Sequence, residues 1–380
     1  MPVSVSLAEC RSYDPGAVAA AMTRLLAPLG GMRAFVRPGL SVLLKPNLLS
    51  DSAPDRAVTT HPEVVRAAIR LVRAAGGEPM LGDSPSAAVK SDRVWELSGM
   101  KAVCREESVR LLNLEEAGSE PLSFEGIAFS LARPALNAGL VINLPKLKTH
   151  SLTLLTNAVK NLYGLLPGYQ KTTMHQVLAR RDQFGRFLAH IYRKIMPGLT
   201  ISDAVVGMDG DGPSNGEPVA AGFLAASADG AALDSALCGL VGLDRRQAPY
   251  LAELYSRAGG EPAFPEIRWV GDSPAAIAPP AFRPPRTAGL TSRFPPAAVR
   301  VLAPLVWIRP RFRGNCVRCG TCVKSCPTSA LAIKAGRALP RLAPSRCIGC
   351  CCCHEVCPVN AIEMRGSPLL RLVTRGHLGV

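Results

Sequence analysis

Apolar runs and helical spacings alternate along the first 275 residues of the chain. Residues 41–44 form a short apolar run that is typical of a buried strand. Apolar residues then recur three or four apart from Val65 to Val72, which predicts a helix that ends before Gly76. Residues 78–81 are the next predicted strand. A strand, a helix and a strand in this order predict a parallel pair with a right-handed crossover.

The same kind of pattern continues to residue 258. Thr60 and Glu63 have the spacing of a capping box at the start of the first predicted helix. The further predicted elements are strands at residues 140–144 and 199–202 and helices at residues 231–243 and 250–258. For this part of the chain the predicted fold class is α/β, with a layered, mostly parallel sheet.

One cysteine pattern occurs twice near the carboxyl end, at an offset of 31 residues. In each copy, two residues separate each of three successive cysteines from the next, and three residues separate the third cysteine from a fourth, which precedes a proline. Three such thiolates can bind three irons of a cubane cluster, while the fourth reaches the second cluster. The predicted ligand sets are Cys316, Cys319, Cys322 and Cys357 for one [4Fe-4S] cluster and Cys347, Cys350, Cys353 and Cys326 for the other.

The pattern resembles that of bacterial two-cluster ferredoxins over residues 313–365, where Ala330 and Ala361 also fall in register. The resemblance implies a small α+β domain with two [4Fe-4S] clusters. Zinc fits the pattern less well because zinc sites use four ligands in two pairs, and a disulfide framework suits a short secreted chain. Cys351 and Cys352 are off-register, so the sequence leaves alternative ligation open.

Charge is divided unevenly between the two parts of the chain. Residues 281–380 contain 16 Lys or Arg and two acidic residues, whereas residues 1–280 contain 28 basic and 27 acidic residues. A Pro-rich stretch lies at the boundary. The predicted organisation is an α/β domain of unknown function at residues 1–278, a Pro-rich linker at 279–312, a ferredoxin-like domain at 313–365 and a tail at 366–380.

The basic carboxyl-terminal part predicts an acidic redox-partner protein. Its basic residues are spread without aromatic interleaving and without a helix-turn-helix or finger pattern, which argues against nucleic acid as a partner.

Residues 297–308 are apolar and lead into arginines, so two interpretations remain: a strap packed on the larger domain, or contact with a membrane surface. No uncharged apolar window is long enough for a transmembrane segment, and the first ten residues do not resemble a secretory signal. Thiolate clusters favour the cytoplasm.

Polar residues follow four of the predicted strands, at the point where each strand ends. They are Lys45 and Asn47, then Asp83, then Lys146, Lys148 and His150, and then Asp203. Because the carboxyl ends of parallel strands meet at one crevice, these loops are the predicted active site.

Lysine usage points to the same loops. The chain has 34 Arg but only 10 Lys, and five of the eight lysines before residue 281 lie in or beside these loops. Residues 153–162 are predicted to be helical, with Lys160 on the face towards the crevice. Several ammonium groups together suggest a small anionic substrate, a carboxylate or a phosphate. The alternative is that these lysines are solvated surface charges.

Five short motifs relate the larger domain to a known family. They are Lys45-Pro46-Asn47, Gly82-Asp83-Ser84-Pro85, the block from Leu144 to His150, the block from Lys160 to Gly164, and Gly212-Pro213. With them, residues 1–275 resemble the bacterial and archaeal domain-of-unknown-function family 362, whose members often carry a ferredoxin module. The resemblance implies the architecture and an association with iron–sulfur centres, but no settled reaction.

Two functional hypotheses follow, and the sequence leaves open whether the protein is an enzyme. In the first, the ferredoxin-like domain exchanges electrons with a site in the α/β domain, where a small anion is reduced. In the second, the chain is a non-catalytic electron carrier or a docking and assembly module. For the first hypothesis the candidate catalytic residues are Lys146, Lys148, His150, Lys160, His175 and Asp203, and the candidate substrate-binding residues are Lys45, Asn47, Asp83 and Asn161.

Overall fold

The computed structural model describes residues 2–85, 89–178, 180–257, 261–285, 307–334 and 336–368. Most of the apolar segment 297–308 and the end of the tail lie outside the described residues, so the strap and membrane-surface interpretations stay predictions. The described start of the predicted linker packs on the larger domain, because Phe282 is buried in its core and Arg283 pairs with Asp209 at 2.7 Å.

An 11-stranded mixed sheet forms the centre of the α/β domain. All strands of the described residues are, in chain order, β1 (Val3–Glu9), β2 (Ser41–Pro46), β3 (Glu78–Asp83), β4 (Arg110–Asn113), β5 (Ser119–Phe124), β6 (Ile127–Ala132), β7 (Leu140–Leu144), β8 (Lys146–His150), β9 (Leu154–Thr156), β10 (Leu199–Asp209), β11 (Glu217–Val219), β12 (Phe223–Ser227), β13 (Ile267–Gly271), β14 (Ile308–Phe312), β15 (Leu331–Ala332), β16 (Arg341–Leu342) and β17 (Ile362–Gly366).

The main strand order of the sheet is β13-β1-β12-β10-β7-β2-β3-β4. Strands β10, β7, β2, β3 and β4 are mutually parallel neighbours, and β13 is parallel to β1. Strand β12 runs antiparallel between β1 and β10. The sheet is therefore mostly parallel, as predicted, and the carboxyl ends of β2, β3 and β7 lie side by side.

Helices cover both faces of this sheet. They are α1 (Pro15–Leu26), α2 (Pro62–Ala74), α3 (Ser91–Leu97), α4 (Met100–Glu106), α5 (Arg133–Asn137), α6 (Ala158–Asn161), α7 (Gln170–Val177), α8 (Arg181–Ile195), α9 (Gly230–Leu240), α10 (Pro249–Leu254), α11 (Pro274–Ile277), α12 (Thr321–Lys324) and α13 (Cys352–Glu355). Successive strand residues alternate between the two cores: Leu43 belongs to the core that includes residues of α8 and α9, whereas Val42 and Leu44 belong to the core that includes residues of α1 and α2.

Two local predictions were wrong. The residues after Leu144 were expected to form a polar loop, but Lys146–His150 is the buried strand β8, which pairs with β9 and β10. Residues 153–162 were expected to form one helix, but Leu154–Thr156 is a strand and only Ala158–Asn161 is α-helical. Pairing with a neighbouring strand decides the structure of short apolar segments, and periodicity alone does not reveal it.

The start of α2 also differs from the predicted capping box. His61 is the N-cap residue, and its Nδ1 accepts a hydrogen bond from the Glu63 backbone N–H at 3.2 Å. Thr60 instead links two strands, since its hydroxyl donates to Leu144 O at 2.6 Å and accepts from Asn47 N at 2.9 Å. The helix itself is where its apolar spacing predicted it.

The described residues from 307 onwards form a small second unit, here called the C-terminal module. Strands β14 and β17 pair antiparallel, and so do β15 and β16. Strand β14 lies inside the segment predicted as a linker, so these five residues belong to the fold of the module. The short helices α12 and α13 carry part of the cysteine pattern, with Cys322 and Cys353 in the core of the module. No helix in the described ranges is long and apolar enough to cross a membrane.

Candidate functional site

Each predicted cysteine set surrounds one small cavity of the C-terminal module, of about 20 Å³. The first cavity is lined by Cys316, Cys319, Cys322 and Cys357, and the second by Cys326, Cys347, Cys350 and Cys353, with Cys351 beside them. Four sulfur donors around one space match the ligand requirement of a [4Fe-4S] cluster. Across the described residues, no group of three or more His, Cys, Asp or Glu side chains is arranged to hold a single metal ion.

The fourth cysteine of each copy has the same backbone partner. The Ala330 N–H donates to Cys326 Sγ at 3.1 Å, and the Ala361 N–H donates to Cys357 Sγ at 3.1 Å. These are the two alanines that fall in register in the sequence. Hydrogen bonds of this kind stabilise thiolate charge and raise the reduction potential of a bound cluster.

A third cavity, of about 100 Å³, lies between the α/β domain and the C-terminal module and is here called the interdomain cavity. Its lining from the α/β domain includes Lys45, Asn47, Asp83, Lys148, His150, Thr156, Lys160, Asn161, Tyr163, Lys171 and His175, and its lining from the module includes Ser325, Cys352, Glu355 and Val356. Helix α13 therefore contributes both to the second cysteine cavity, through Cys353, and to the interdomain cavity, through Cys352 and Glu355.

Polar contacts beside this cavity hold the module on the loop that follows β10. His354 Nε2 lies 3.0 Å from Asp211 O, and Asn360 Nδ2 donates to Asn215 O at 3.3 Å. Asn215 Nδ2 also donates to His354 O. Gly212 lies so close to Thr149 O of β8 that a Cβ atom there would overlap it. The loop after β10 thus contacts both the C-terminal module and strand β8 of the α/β domain, the two sides that line the cavity.

The ends of β2 and β3 supply a buried ion pair at the floor of the cavity. Lys45 Nζ donates to Asp83 Oδ1 at 2.8 Å, and the Leu48 N–H donates to Asp83 Oδ2 at 2.8 Å. Asn161 donates to Asn143 Oδ1 at 2.8 Å and accepts from Asn47 Nδ2 at 3.1 Å. Burial lowers the pKa of Lys45, and the charge of Asp83 opposes that shift. Parallel pairing of β2 and β3 is what brings this lysine and this aspartate together.

Gly164 makes room for this ion pair. A Cβ atom on Gly164 would overlap Asp83 Oδ1 and would lie 2.8 Å from Lys45 Nζ. We expect Gly164→Ala to lower the free energy of unfolding by about 1–3 kcal/mol, because a well-packed site cannot admit another carbon without displacing its neighbours. Urea unfolding followed by circular dichroism measures this change.

Gly239→Ala is the matched control for that substitution. Gly239 is an exposed residue of α9 whose added Cβ would have nothing within 4 Å. Alanine in an exposed helix is expected to stabilise the protein by about 0.5–1 kcal/mol. Equal effects of the two substitutions would contradict the packing argument for Gly164.

Three further lysines reach the cavity without an acidic hydrogen-bond partner. Lys148 Nζ donates to Asn47 Oδ1 at 2.9 Å and to Val58 O at 2.7 Å. Burial lowers the pKa of Lys148 well below its ordinary value, and the charges of Lys160 and Lys146 lower it further. Because an ammonium group has three N–H donors, Lys148 retains one for a ligand when it is protonated.

Lys160 and Lys171 differ in how their ammonium groups are satisfied. Lys160 Nζ lies 4.6 Å from the ring centre of Tyr163 and finds no hydrogen-bond acceptor in the described part of the chain. Lys171 Nζ is fully occupied, since it donates to Ser84 Oγ at 2.6 Å, to Ser84 O at 2.9 Å and to Leu166 O at 3.0 Å. Burial lowers the pKa of Lys171 to about 8. Lys160 can therefore bind a ligand directly, whereas Lys171 contributes charge.

Histidine 150 is fully buried and presents a donor to the cavity. Its Nδ1 accepts hydrogen bonds from Leu152 N at 3.0 Å and Thr153 N at 3.3 Å. The proton of the neutral ring is therefore assigned to Nε2. Burial holds the pKa of His150 well below its ordinary value, with Lys160 as the next cause.

Several buried polar atoms around the interdomain cavity have no hydrogen-bond partner among the described residues. They are His150 Nε2, Thr156 Oγ1, His175 Nδ1, Ser325 Oγ and Glu355 Oε1. Two of them, His150 Nε2 and Glu355 Oε1, lie 3.4 Å apart but lack hydrogen-bond geometry. Buried polar groups without partners are rare in folded proteins and call for water or a ligand.

The structure places Lys146 and Asp203, two of the predicted catalytic residues, outside the lining of this cavity. Both are fully buried, and Lys146 Nζ lies 2.5 Å from Asp203 Oδ2. Tyr13 OH donates to Asp203 Oδ1 at 2.8 Å, and the His61 N–H donates to Asp203 Oδ2 at 2.8 Å. This ion pair joins the start of α2 to strand β10. The other predicted site residues of the α/β domain do line the cavity.

Several cavity residues were not predicted as site residues from the sequence, among them Thr156, Ser325, Cys352 and Glu355. Lys171 was one of the five lysines predicted in or beside the site loops. Glu355 had a signal, since it is one of only two acidic residues in 281–380 and lies between two cysteines of the pattern. Ser325 and Cys352 had none, because their place depends on how the module docks.

The mostly parallel α/β sheet and the two cysteine quartets define an iron–sulfur electron-transfer protein. Residues 315–366 match the model of the 4Fe-4S dicluster domain, and the chain thus contains a domain that binds [4Fe-4S] clusters. Residues 42–239 match the model of the domain of unknown function DUF362. The chain belongs to the DUF362 family, which confirms the resemblance found in its motifs.

Among curated proteins, a thylakoid-associated protein of Synechocystis sp. is 39% identical over 269 residues, which cover 70% of this chain and 83% of that protein. Among solved structures, the lactate racemase apoprotein of Thermoanaerobacterium thermosaccharolyticum aligns with a TM-score of 0.40 and 13% identity, over 63% of this chain and 57% of the racemase. A Thermotoga maritima protein aligns with a TM-score of 0.34 and 18% identity, over 55% and 54% of the two chains. This chain therefore spans less than two thirds of each of these two solved structures.

Proposed function

We propose that the protein is a reductase whose iron–sulfur module delivers electrons to a small anion bound in the interdomain cavity. One observation carries the proposal: a single cavity joins lysines and histidines of the α/β domain to helix α13, which bears Cys353. The proposed ligands of two [4Fe-4S] clusters are the two cysteine quartets described above. Such clusters, when bound, supply single electrons.

Charge in the cavity supports an anionic substrate. Four lysines line it against two carboxylates, Asp83 and Glu355, which gives a formal net charge of +2. Lys160 and Lys148 have N–H groups left for a ligand, whereas Lys45 and Lys171 attract an anion only through their positive charge. In a site with little water, such charges act strongly on a bound anion.

Proton donation to the bound anion is assigned to Lys148. A lysine with a lowered pKa is a stronger acid than usual, and Lys148 faces the cavity with a free N–H. His150 acts as a neutral hydrogen-bond donor through Nε2. Burial lowers the pKa of His175 to about 3, so His175 is also neutral at physiological pH. His150 and His175 were predicted as catalytic residues from the sequence, and in this proposal Lys148 supplies the proton in place of either histidine.

Removal of Lys160 tests the proposal. In anaerobic stopped-flow experiments, a panel of small oxyanions is mixed with the reduced protein, and the anion that reoxidises the wild type is then tested with Lys160→Ala. We expect kcat/KM to fall roughly 10- to 100-fold, because a hydrogen bond between charged groups is lost. Iron content and the spectrum of the reduced protein stay unchanged.

Lys101→Ala is the control, since Lys101 is an exposed lysine of α4 that does not line the cavity. It removes the same charge and is expected to keep the wild-type kcat/KM. If no small anion reoxidises the protein, or if both variants behave alike, the reductase proposal is rejected.

Lys171 gives the proposed reaction a pH dependence. Its protonated form attracts the anion, and its pKa of about 8 means that this form is lost as the pH rises through that value. We therefore expect kcat/KM to be higher below pH about 8 and to fall above it towards a lower plateau. Lys171→Met should remove this step, because the charge is then absent at every pH. A step that persists in Lys171→Met would assign the titration to another group.

A non-catalytic electron carrier is the second candidate. Val317 is 61% exposed beside the first cysteine cavity, and Cys319 is exposed as well, which favours access by an external, acidic redox-partner protein. A carrier would keep its electron-transfer rate in Lys160→Ala.

We propose the cytoplasm as the compartment of this protein, and the thylakoid-associated relative supports a position at a membrane surface as the alternative.

A further inference from the structure

We infer that the interdomain cavity binds a small, doubly negative oxyanion that carries one hydroxyl group, and that this ligand touches both the α/β domain and the C-terminal module. The inference rests on the proposed function only in taking this cavity as the anion site. It goes further in naming the ligand class and the residues that select it.

The charge of the cavity sets the charge of the ligand. Its formal net charge of +2 is balanced by two negative charges. A volume of about 100 Å³ admits a compact oxyanion with a few waters. With every lysine protonated, a singly negative ion would leave a formal charge of +1 in the cavity.

Donors for the anion come mainly from the α/β domain. Lys160 has no acceptor for its three N–H groups within the described residues, and Lys148 has one N–H left. His150 Nε2–H and Thr156 Oγ1 are buried and unpaired. Together these groups can surround the oxygens of a tetrahedral or dicarboxylate anion.

The C-terminal module completes the site from the opposite wall. Ser325 is 6% exposed and its Oγ lacks a partner, and Glu355 is 8% exposed and its Oε1 lacks a partner. A carboxylate oxygen accepts hydrogen bonds and repels a bare oxyanion oxygen. A ligand with a hydroxyl can donate directly to Glu355 and still be held by the lysines, whereas a ligand without one needs a bridging water or a protonated Glu355. The preference for a hydroxyl therefore comes from the module.

Hydrogen phosphate and sulfate form a matched pair of probes, because both are doubly negative tetrahedral anions and only the first carries a hydroxyl. We expect isothermal titration of the oxidised, cluster-loaded protein, at fixed pH and ionic strength, to show phosphate binding at least about tenfold more tightly than sulfate. Tartronate and malonate repeat the comparison for dicarboxylates, and they show whether the site takes a phosphate or a carboxylate.

Glu355→Gln is the decisive variant. An amide can donate to a sulfate oxygen, so the preference for phosphate over sulfate should disappear. Glu363→Gln is the control, because Glu363 is the other acidic residue of the module and pairs with Arg365 at 3.2 Å away from the cavity lining. This control should keep the preference. Cluster absorbance checks that each variant is folded.

Contact of the ligand with both domains is tested by one substitution in each domain, and each substitution should weaken phosphate binding. Lys160→Ala in the α/β domain and Ser325→Ala in the module should each weaken phosphate binding, by about tenfold or more for the lysine. The inference is overturned if phosphate does not bind, if sulfate binds as tightly as phosphate, or if Glu355→Gln keeps the preference. Because no reductant is present, phosphate binding without any oxidant reactivity would reject the reductase and keep this inference.

Discussion

Replacing Cys353 with Ser is expected to reduce the iron content of anaerobically purified protein from about eight to about four atoms per chain. Each cubane cluster holds four irons, and the protein is expected to lose a cluster that has only three of its four thiolate ligands. Cys353 lines the second cysteine cavity together with Cys326, Cys347 and Cys350. Iron and sulfide analysis measures the loss.

The neighbouring Cys352 provides a matched control, because it differs from Cys353 only in register. Its side chain faces the interdomain cavity and is absent from the lining of the second cysteine cavity. Cys352→Ser is expected to keep about eight irons. Loss of iron in Cys352→Ser, with retention in Cys353→Ser, would show that the cluster uses the shifted register.

The crossed arrangement of the two sets adds a second test. Cys326 lies in the first copy of the pattern but lines the cavity of the second copy. Cys326→Ser and Cys353→Ser should therefore leave the same cluster behind, with the same electron paramagnetic resonance spectrum after reduction. Different residual spectra would mean that the four cysteines of each copy act together instead.

Replacing Asp203 with Ala is expected to lower the free energy of unfolding by about 3–5 kcal/mol, because it leaves the Lys146 ammonium buried without its counter-charge. Both side chains are fully buried. The lost carboxylate also leaves Tyr13 OH and the His61 N–H without an acceptor. Urea unfolding at neutral pH measures the change.

A double variant separates a structural role of this pair from a catalytic one. In Lys146→Met with Asp203→Asn, the buried charges are gone. The single amide oxygen can accept from the His61 N–H, and the amide nitrogen can donate to Tyr13 OH, which no longer accepts from Lys146. Most of the lost stability should return, and reoxidation by the anion should stay near the wild-type rate. Recovered stability with lost turnover would instead return Lys146 and Asp203 to the catalytic residues predicted from the sequence.

The order of strands and helices could be predicted where the local pattern is strong. Leu140–Leu144 was predicted to the residue, and β2 and β3 were predicted to within two residues of their ends. Segment 153–162 was not, because Leu154 and Leu155 suit a helix and a strand equally well. Pairing of Leu154 with His150 in β8 decides between them, and such a contact is not visible in a linear pattern.

Some residues of the candidate site could likewise be predicted from the sequence, and others could not. Lys45 and Asp83 could be brought together from sequence, because the carboxyl ends of parallel strands are adjacent. Lys148 was found as a polar residue near a strand end, although its strand was taken for a loop. Glu355 reaches the cavity only because the module docks on the loop around Asp211, a contact between residues 143 positions apart. No local pattern encodes that docking.

Anomalous diffraction from crystals of the cluster-loaded protein grown with arsenate tests the central claim most directly, since iron and arsenic can be located separately in one structure. Arsenate carries a hydroxyl at neutral pH, as phosphate does. The account predicts one compact iron group in each cysteine cavity, and arsenate within hydrogen-bond distance of Lys160, His150 and Glu355. Iron absent from either cavity, or arsenate bound elsewhere while the interdomain cavity contains only water, would contradict it.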